Sequence, residues 1–459
     1  MERITRRRFL AGAFSALGAS MLAACGQQAA APAPTSAPAA TAASAPTSAP
    51  ATVSQTGSTV KIEYWHRIGG DSAKLLETFA AEFNEQMKGQ IEVTSIAQGN
   101  IQELNQKVRA AAAGGGMPGA VMADDYDVTQ YYASNILVPL DEYINSPEHG
   151  LTQEQIADIL PNQFNRHKLA IYEGRTMAFT QGFSAFTTFW NVDLLKKAGV
   201  DAPPASWDEF PDHVRAVSKA NGGVPGWLIG GAGDRYISTL KTYGVEWLKE
   251  GGNESNFDAP EALEIMTWWR ALSDEALLAV PQESARDAFI AGQSIYFMDS
   301  SGNTARFSKD VKFAWDARLP FQRNTPKPVT ETYGPVNAIP KTSAEQQLAG
   351  WMWIKWLLTP AVHARWAAST NYFPSTRSAL NDAGLKAYYE GNPTARKLVD
   401  EVAPYATILP PSPALTEVRG QITANVVNEV LLGQLSPEEG QKKLKAEADA
   451  AIKRALGGA

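Results

Sequence analysis

Alternation between apolar and polar residues first predicts folded structure from about residue 59. Val60–Trp65 alternates in this way and predicts a strand. Apolar periodicity then predicts a helix, a strand, a helix and a short strand, at residues 72–86, 91–96, 101–113 and 120–123. Strands and helices that alternate along a chain are typical of a parallel sheet with right-handed crossovers.

The second half of the chain continues this theme without a repeated sequence. Period-two runs predict strands at residues 176–179, 186–191, 227–229 and 294–298. Helical spacing predicts helices at residues 194–198, 207–220, 261–272 and 285–291, and a mostly helical segment from Ala344 onward. The chain is therefore predicted to have an α/β fold, and its length favours two domains over one.

The N-terminal residues follow a different pattern. A basic stretch at Thr5–Leu10 precedes an apolar run at residues 11–23, and Cys25 follows directly after Leu22-Ala23-Ala24. This order is typical of an export signal, and its arginine pair resembles the address of the twin-arginine route. The segment before Cys25 resembles a bacterial lipobox, in which the cysteine is lipidated. Because the apolar run is too short to cross a hydrocarbon core of about 30 Å, residues 1–25 are predicted to be a lipoprotein signal.

The composition indicates a linker after the signal and argues against thiol chemistry and nucleic-acid binding. Residues 26–58 are almost entirely Ala, Pro, Ser, Thr and Gln without charge, so we interpret them as a disordered linker. Cys25 is the only cysteine, which leaves no thiol for a disulfide, a nucleophile or a metal once it is lipidated. A net charge of −7 argues against nucleic acid as a partner. The protein is predicted to be exported and lipid-anchored at Cys25 on the outer face of the cytoplasmic membrane.

Several landmarks recur in an order typical of one protein family. They are Tyr64-Trp65-His66, residues 189–193, residues 198–210, residues 289–297 and residues 356–360. In this order the chain resembles bacterial extracellular solute-binding proteins of family 1, the receptors of sugar-uptake ABC transporters. Gly99-Asn100, Ser300-Ser301-Gly302 and residues 371–374 give a finer resemblance to the binders of glycerol 3-phosphate and glycerophosphodiesters.

The resemblance implies a fold and a set of partners. The fold is the type II periplasmic-binding-protein fold, with two α/β lobes, a ligand cleft between them and three crossings near residues 183–186, 333–335 and 374–380. The lobes would comprise residues 59–183 plus 335–377, and residues 184–334 plus 378–459. The implied partners are a small carbohydrate-like solute and the permease subunits of an ABC importer, with the receptor a monomer that needs no cofactor.

Candidate ligand contacts come from strand ends and from the resemblance. Ligands of parallel sheets gather beyond the carboxyl ends of strands, where this chain carries polar and aromatic residues. Together with the family comparison, this gives the predicted ligand-binding set Trp65, His66, Asn100, Asp125, Ser184, Tyr236, Ser300, Ser301, Gly334 and Tyr372.

The acidic cluster at the end of the third predicted strand has three interpretations. Asp124, Asp125 and Asp127 could hold a hard cation, but the glycine turn and distant glutamate typical of such sites are missing. Asp125 could equally cap the helix that follows or accept hydrogen bonds from a polyol, and the resemblance aligns it with an acidic ligand contact. No metal site is predicted.

Catalysis finds little support in the sequence. Gly182-Phe183-Ser184 is a near miss to a nucleophile elbow, because the glycine needed after the serine is absent. The five histidines include no pair at metal-ligand spacing. No catalytic residue is predicted. A surface-anchored glycan hydrolase and a structural lipoprotein without a ligand remain the alternatives to a receptor.

One departure from the family concerns phosphate. The arginine that contacts phosphate in the glycerol-phosphate binders aligns near Pro411-Ser412-Pro413, where this chain has none. Arg235 and Arg419 are the candidate substitutes. The sequence therefore favours an uncharged sugar, oligosaccharide or polyol, with a receptor for glycerol 3-phosphate or a glycerophosphodiester as the alternative.

Overall fold

The computed structural model describes residues 58–457, apart from residues 283 and 324. The predicted signal with Cys25 and the predicted linker up to residue 57 lie outside the described residues, so both stay predictions. Within the described residues, no helix combines the length and the apolar character that crossing a membrane would need.

Most strands are short and spread along the whole described chain. Strands β1 to β12 are, in order, Val60–His66, Ile91–Ala97, Ala120–Ala123, Phe179–Thr180, Ser184–Asn191, Trp227–Leu228, Leu278–Ala279, Tyr296–Ser300, Trp315–Arg318, Thr330–Tyr333, Val336–Ala338 and Ala406–Thr407.

Helices fill most of the remaining chain. Helices α1 to α19 are, in order, Gly70–Gln86, Ile101–Gly114, Asp125–Ala133, Asp141–Ile144, Gln153–Asp158, Pro161–Phe164, Val192–Lys197, Phe210–Ala220, Ala232–Thr242, Pro260–Asp274, Ala285–Ile290, Thr304–Asp310, Ala344–Leu357, Pro360–Thr370, Ala383–Gly391, Pro393–Glu401, Leu415–Glu417, Ala424–Leu431 and Pro437–Ala455. A π-helical segment, Val418–Thr423, joins α17 to α18. The prediction of an α/β fold is confirmed.

The first sheet has the strand order β2-β1-β3-β11-β4. Strand β1 pairs in parallel with β2 and β3, and β11 runs antiparallel to β3 and β4. Its core includes Tyr64, Phe83 and Trp353, and the ring of Trp353 lies 5.4 Å from that of Phe83 and 5.5 Å from that of Tyr64. The large aromatic residues of α13 are thus used for packing.

The second sheet has the order β12-β10-β5-β8-β6-β7, with β9 also paired to β5. Every residue of β5 is buried, because β8, β9 and β10 all pair with it. Trp207, Trp227 and Trp269 lie in its core, where the rings of Trp227 and Trp269 meet edge to face at 5.3 Å.

Short connections join the two sheets side by side. The chain leaves the first sheet at Thr180 and enters the second at Ser184, slightly earlier than predicted because β5 begins at that serine. It returns through Gly334-Pro335, between β10 and β11. Gly334 has a φ of +115°, and a Cβ there would lie 3.1 Å from the Cα of Phe183, so only glycine fits without strain.

A third segment passes the same point. Phe373 follows α14, and its backbone exchanges two hydrogen bonds with Phe183, of 2.6 and 3.1 Å. The three connections therefore contact one another at Phe183, Gly334 and Phe373. We call this group of residues between the two sheets the waist. The lobe boundaries given above stay a prediction.

Candidate functional site

A cavity of about 430 Å³ lies beside this waist. We call it the cleft cavity. The ends of β1, β3, β8 and β10 and the segment 408–420 surround it. Its lining residues are Arg67, Gln102, Asp124, Asp125, Tyr126, Ser184, Asp234, Arg235, Asp299, Ser300, Glu331, Thr332, Tyr333, Gly334, Tyr372, Ile408, Leu409, Pro411, Leu415, Thr416, Arg419 and Gly420.

Half of the predicted ligand contacts line this cavity. They are Asp125, Ser184, Ser300, Gly334 and Tyr372. These residues are far apart in the sequence, and the waist brings them together because β5, β8 and β10 all end or begin there. The structure thus assembles one group of predicted residues around a single space.

Three further predicted residues lie near the ends of the first sheet without lining the cavity. Trp65 is half-buried on β1, and its indole nitrogen donates to Glu63 at 2.6 Å. His66 is buried, and burial lowers its pKa to about 4, so its ring is neutral at pH 7. Asn100 is the N-cap of α2, where its side chain accepts from the backbone nitrogen of Glu103 at 3.0 Å. All three have structural partners.

The last two predicted residues, Tyr236 and Ser301, are buried beside the second sheet, on α9 and in the turn after β8. Contrary to expectation, Tyr236 does not line the cavity: it lies in the core with no exposed surface, and its hydroxyl donates to the carbonyl oxygen of Ala262 at 2.7 Å. Its position on α9 turns the ring inward, while the neighbouring Arg235 reaches the cavity. The Ser301 hydroxyl accepts from the backbone nitrogen of Ala185 at 3.2 Å and so fixes the turn after β8.

The aspartates that follow β3 have different structural partners. The carboxylate of Asp127, which is buried, accepts from the backbone nitrogen of Asp124 at 2.9 Å and caps the start of α3. Asp124 itself pairs with Arg67 at 2.6 Å on the cavity wall. Within the described residues there is no group of three ligating side chains that could hold a metal ion.

Asp125 does not act as the helix cap, because its carboxylate is held by two buried side chains, Arg166 and His167. Arg166 approaches it with two nitrogens, at 2.7 and 2.5 Å, and His167 lies at 2.8 Å. Burial opposes ionisation, but Arg166 and His167 outweigh it and hold the pKa of Asp125 at about 2. Arg166 also donates to the carbonyl oxygen of Gly334 at 3.2 Å. The group therefore ties α3 to the waist.

Two hydroxyl groups meet at the base of the cavity. The Ser300 hydroxyl donates to that of Ser184 at 2.8 Å, and it accepts from the backbone nitrogen of Gly302 at 3.1 Å. Tyr372 covers this turn, since a Cβ on Gly302 would lie 3.6 Å from its ring. Burial raises the pKa of Tyr372 above its ordinary value, so its hydroxyl stays protonated and can donate.

Three arginines line the cavity, and sequence reasoning named two of them, Arg235 and Arg419. Arg235 lies 3.5 Å from Asp299 and 3.4 Å from the hydroxyl of Tyr333. Arg419 donates to Glu331 at 2.6 Å and also pairs with Asp234. The phenol ring of Tyr333 lies between the two guanidinium groups, 5.9 and 5.6 Å from their central carbons.

The π-helical segment explains how Arg419 reaches the cavity. An extra residue in a helical turn re-aims side chains, and such turns are frequent at functional sites. Helix α9 packs closely against this segment at Gly233, where a Cβ would clash with the carbonyl oxygen of Arg419. No local sequence pattern indicates this π-helical turn. The sequence alone therefore offers Arg419 only as a candidate substitute for the phosphate-contacting arginine and does not show that it reaches the cavity.

The cavity wall is polar, aromatic and more acidic than basic. Its carboxylates are Asp124, Asp125, Asp234, Asp299 and Glu331, against the guanidinium groups Arg67, Arg235 and Arg419. Each of these arginines has a carboxylate within 4 Å. Tyr126, Tyr333 and Tyr372 supply aromatic surface, and no tryptophan is among the lining residues of the described chain.

Comparison with known proteins agrees with this architecture. The chain is similar to the sn-glycerol-3-phosphate-binding periplasmic protein UgpB of Agrobacterium fabrum, with 22% identity over 443 residues that cover 88% of this chain and 95% of the relative. The predicted resemblance to glycerol-3-phosphate binders is confirmed.

Solved structures show the same fold. The cyclic alpha-maltosyl-1,6-maltose binding protein of Arthrobacter globiformis superposes with a TM-score of 0.74 at 18% identity, over 86% of this chain and 100% of that one. UgpB of Mycobacterium tuberculosis in complex with glycerophosphocholine superposes with a TM-score of 0.72 at 21% identity, over 87% and 100%. The predicted two-lobe fold is confirmed.

The family is shown by its sequence model. The model described as Bacterial extracellular solute-binding protein matches residues 78–394, which is well over half of the chain. The match covers ten of the twelve strands described above and most of the residues that line the cavity. The chain therefore belongs to the bacterial extracellular solute-binding proteins.

Proposed function

We propose that this protein is the receptor of an ABC importer and captures an uncharged sugar, oligosaccharide or polyol in the cleft cavity. The observation that carries the proposal is the position of that cavity at the waist, between residues of the two sheets. A solute bound there contacts both lobes, so binding favours the closed arrangement through differential affinity. Closure is the signal that a permease can read.

The chemistry of the wall suits hydroxyl-rich solutes. Carboxylates of Asp124, Asp234 and Asp299 accept hydrogen bonds from hydroxyls, and the hydroxyl of Ser300 can accept or donate. Tyr372 offers an aromatic face for the apolar side of a sugar ring. A polyol needs this mixture of acceptors, donors and flat surface.

A receptor for glycerol 3-phosphate or a glycerophosphodiester is the second candidate. The presence of Arg67, Arg235 and Arg419 on the wall favours it, since guanidinium groups match phosphate oxygens. The names of the relatives point in the same direction. The pairing of each arginine with a carboxylate is the reason for ranking this candidate second.

We propose no catalytic activity for the cavity. A serine nucleophile needs an adjacent base, whereas the hydroxyl of Ser184 accepts from another hydroxyl, that of Ser300. No histidine is among the lining residues of the described chain. The relatives give no support to the hydrolase alternative.

The setting of the receptor is proposed from the N-terminal sequence. Lipidation at Cys25 would hold the protein at the outer face of the cytoplasmic membrane, with residues 26–58 as a spacer and the receptor as a monomer. Membership of an extracellular family supports export. Metabolic labelling with a fatty acid tests the anchor: the parent should take up the label and Cys25→Ala should not.

A thermal-shift screen tests the receptor itself. The panel contains neutral mono- and oligosaccharides, polyols, sn-glycerol 3-phosphate and glycerophosphodiesters. A ligand at 100 times its Kd adds about 2.7 kcal/mol of stability, which is readily measured. We expect at least one uncharged compound to raise the melting temperature. A panel without any stabilising compound would contradict the proposal.

A further inference from the structure

The arginines of the cleft cavity are already paired with carboxylates of the protein, unlike the unpaired arginines of an open anion-binding site. Asp234 lies between two of them, since one of its carboxylate oxygens pairs with Arg419 and the other is 4.0 Å from Arg235. This carboxylate is part of the cavity wall and its side chain is 42% exposed. It therefore occupies the place between two guanidinium groups where a phosphate would receive most donors.

A second carboxylate supports this arrangement from behind. Glu331 is 2% exposed, accepts from Arg419 at 2.6 Å and accepts from the hydroxyl of Ser238 at 2.5 Å. Burial raises the pKa of Glu331, while Arg419 and the hydrogen bond from Ser238 oppose this. A charge pair that is buried and hydrogen-bonded on both sides does not exchange its partner readily for a ligand.

We propose that Asp234 and Glu331 are specificity-determining residues that keep Arg235 and Arg419 occupied and so exclude phosphate monoesters from the cavity. This inference rests on the proposed function and adds the charge class of the solute. A phosphate dianion placed near Arg419 meets two carboxylates at close range, and such like-charge contacts select against the wrong ligand. An uncharged solute meets no such penalty.

The test is whether a variant without the two carboxylates gains the ability to bind phosphate compounds. In Asp234→Asn/Glu331→Gln both carboxylates become neutral amides of similar shape, which removes the two negative charges that pair with Arg419. We expect sn-glycerol 3-phosphate and inorganic phosphate to raise the melting temperature of this variant and to bind at least tenfold more tightly than to the parent. The parent should show no saturable binding of either probe in the low millimolar range.

The surface of the same lobe offers a matched control. The side chain of Arg215 is 39% exposed and pairs with one aspartate and one glutamate, Asp212 at 2.9 Å and Glu275 at 2.8 Å. Asp212→Asn/Glu275→Gln removes the same two charges from an arginine outside the cavity. It should leave phosphate binding at the level of the parent, and an equal gain in this control would overturn the proposal.

Two further results would overturn the inference. One is micromolar binding of sn-glycerol 3-phosphate by the parent with loss in Arg419→Ala, which would make the carboxylates positioning residues for a phosphate clamp. The other is a folded double variant without any gain. If that variant does not fold, the single variant Asp234→Asn, whose side chain is 42% exposed, must show the gain instead. Binding of phosphate by the parent leaves the receptor proposal standing, whereas that proposal fails only if no solute binds.

Discussion

Arg166 binds Asp125 with two nitrogens, at 2.7 and 2.5 Å, and this pair stands behind the cleft cavity. The side chain of Arg166 is 1% exposed, so the contact is protected from water. The same guanidinium reaches the backbone of Gly334 at the waist. The pair thus links the start of α3, a wall of the cavity, to the connection between the sheets.

Acid should weaken this link in a defined pH window. The pKa of Asp125 is held at about 2, below its ordinary value of 3.8, so its contribution is complete above the ordinary value and is lost as the pH falls through about 2. The shift corresponds to about 2 kcal/mol. Denaturant unfolding at a series of pH values should show a steeper acid loss for the parent than for Asp125→Asn.

The control for the pH experiment is Asp71→Asn, which changes an exposed carboxylate on α1. Its stability should fall with pH in parallel with that of the parent. Parallel curves for the parent and Asp125→Asn would instead mean that the carboxylate of Asp125 is no more stabilised in the folded protein than in the unfolded chain.

Gly334 should tolerate no side chain. Its φ of +115° is unfavourable for alanine, and a Cβ would press on Phe183, so Gly334→Ala should lower the free energy of unfolding by about 1–3 kcal/mol. Gly391→Ala is the matched change, because a Cβ at the end of α15 meets nothing within 4 Å. It should be neutral or stabilising by under about 1 kcal/mol. Equal melting temperatures of the two variants would refute the waist geometry.

Tyr372 should contribute to binding through its ring. Tyr372→Ala removes the aromatic cover above Gly302 and should weaken solute binding by about ten- to a hundredfold, whereas Tyr372→Phe keeps the ring and should lose less. Tyr405→Ala, which truncates an exposed tyrosine outside the cavity, is the control. Calorimetry with the hit of the thermal-shift screen is the measurement. Unchanged affinity in Tyr372→Ala would place the solute elsewhere.

Local patterns were enough to predict β1, β2 and β3 of the first sheet and the helices α1 and α2 between them. The strand at 120–123 and the helix after Pro260 appear where the sequence placed them, because a short apolar run indicates the fully buried strand and apolar residues at helical spacing indicate the helix. Strands β9 to β12 were not predicted. They have two to four residues each and, unlike β3, contain no continuous apolar run that would indicate a buried strand.

Local sequence patterns could not predict the charge pairs of the site. Arg419 meets carboxylates that lie 185 and 88 positions away in the sequence. Tyr236 was predicted as an aromatic side chain that could stack on a sugar, but the direction of its ring depends on how α9 packs, and its hydroxyl donates to Ala262 in the core. Contacts set by tertiary packing need the fold before they can be assigned.

The proposed receptor function is tested most directly by a calorimetric titration of the purified protein with the uncharged panel and, separately, with sn-glycerol 3-phosphate. We expect saturable one-site binding of at least one uncharged sugar or polyol and no saturable heat from the phosphate ester. Saturable binding of the phosphate ester alone would contradict the uncharged solute, and no binding of any compound would contradict the receptor.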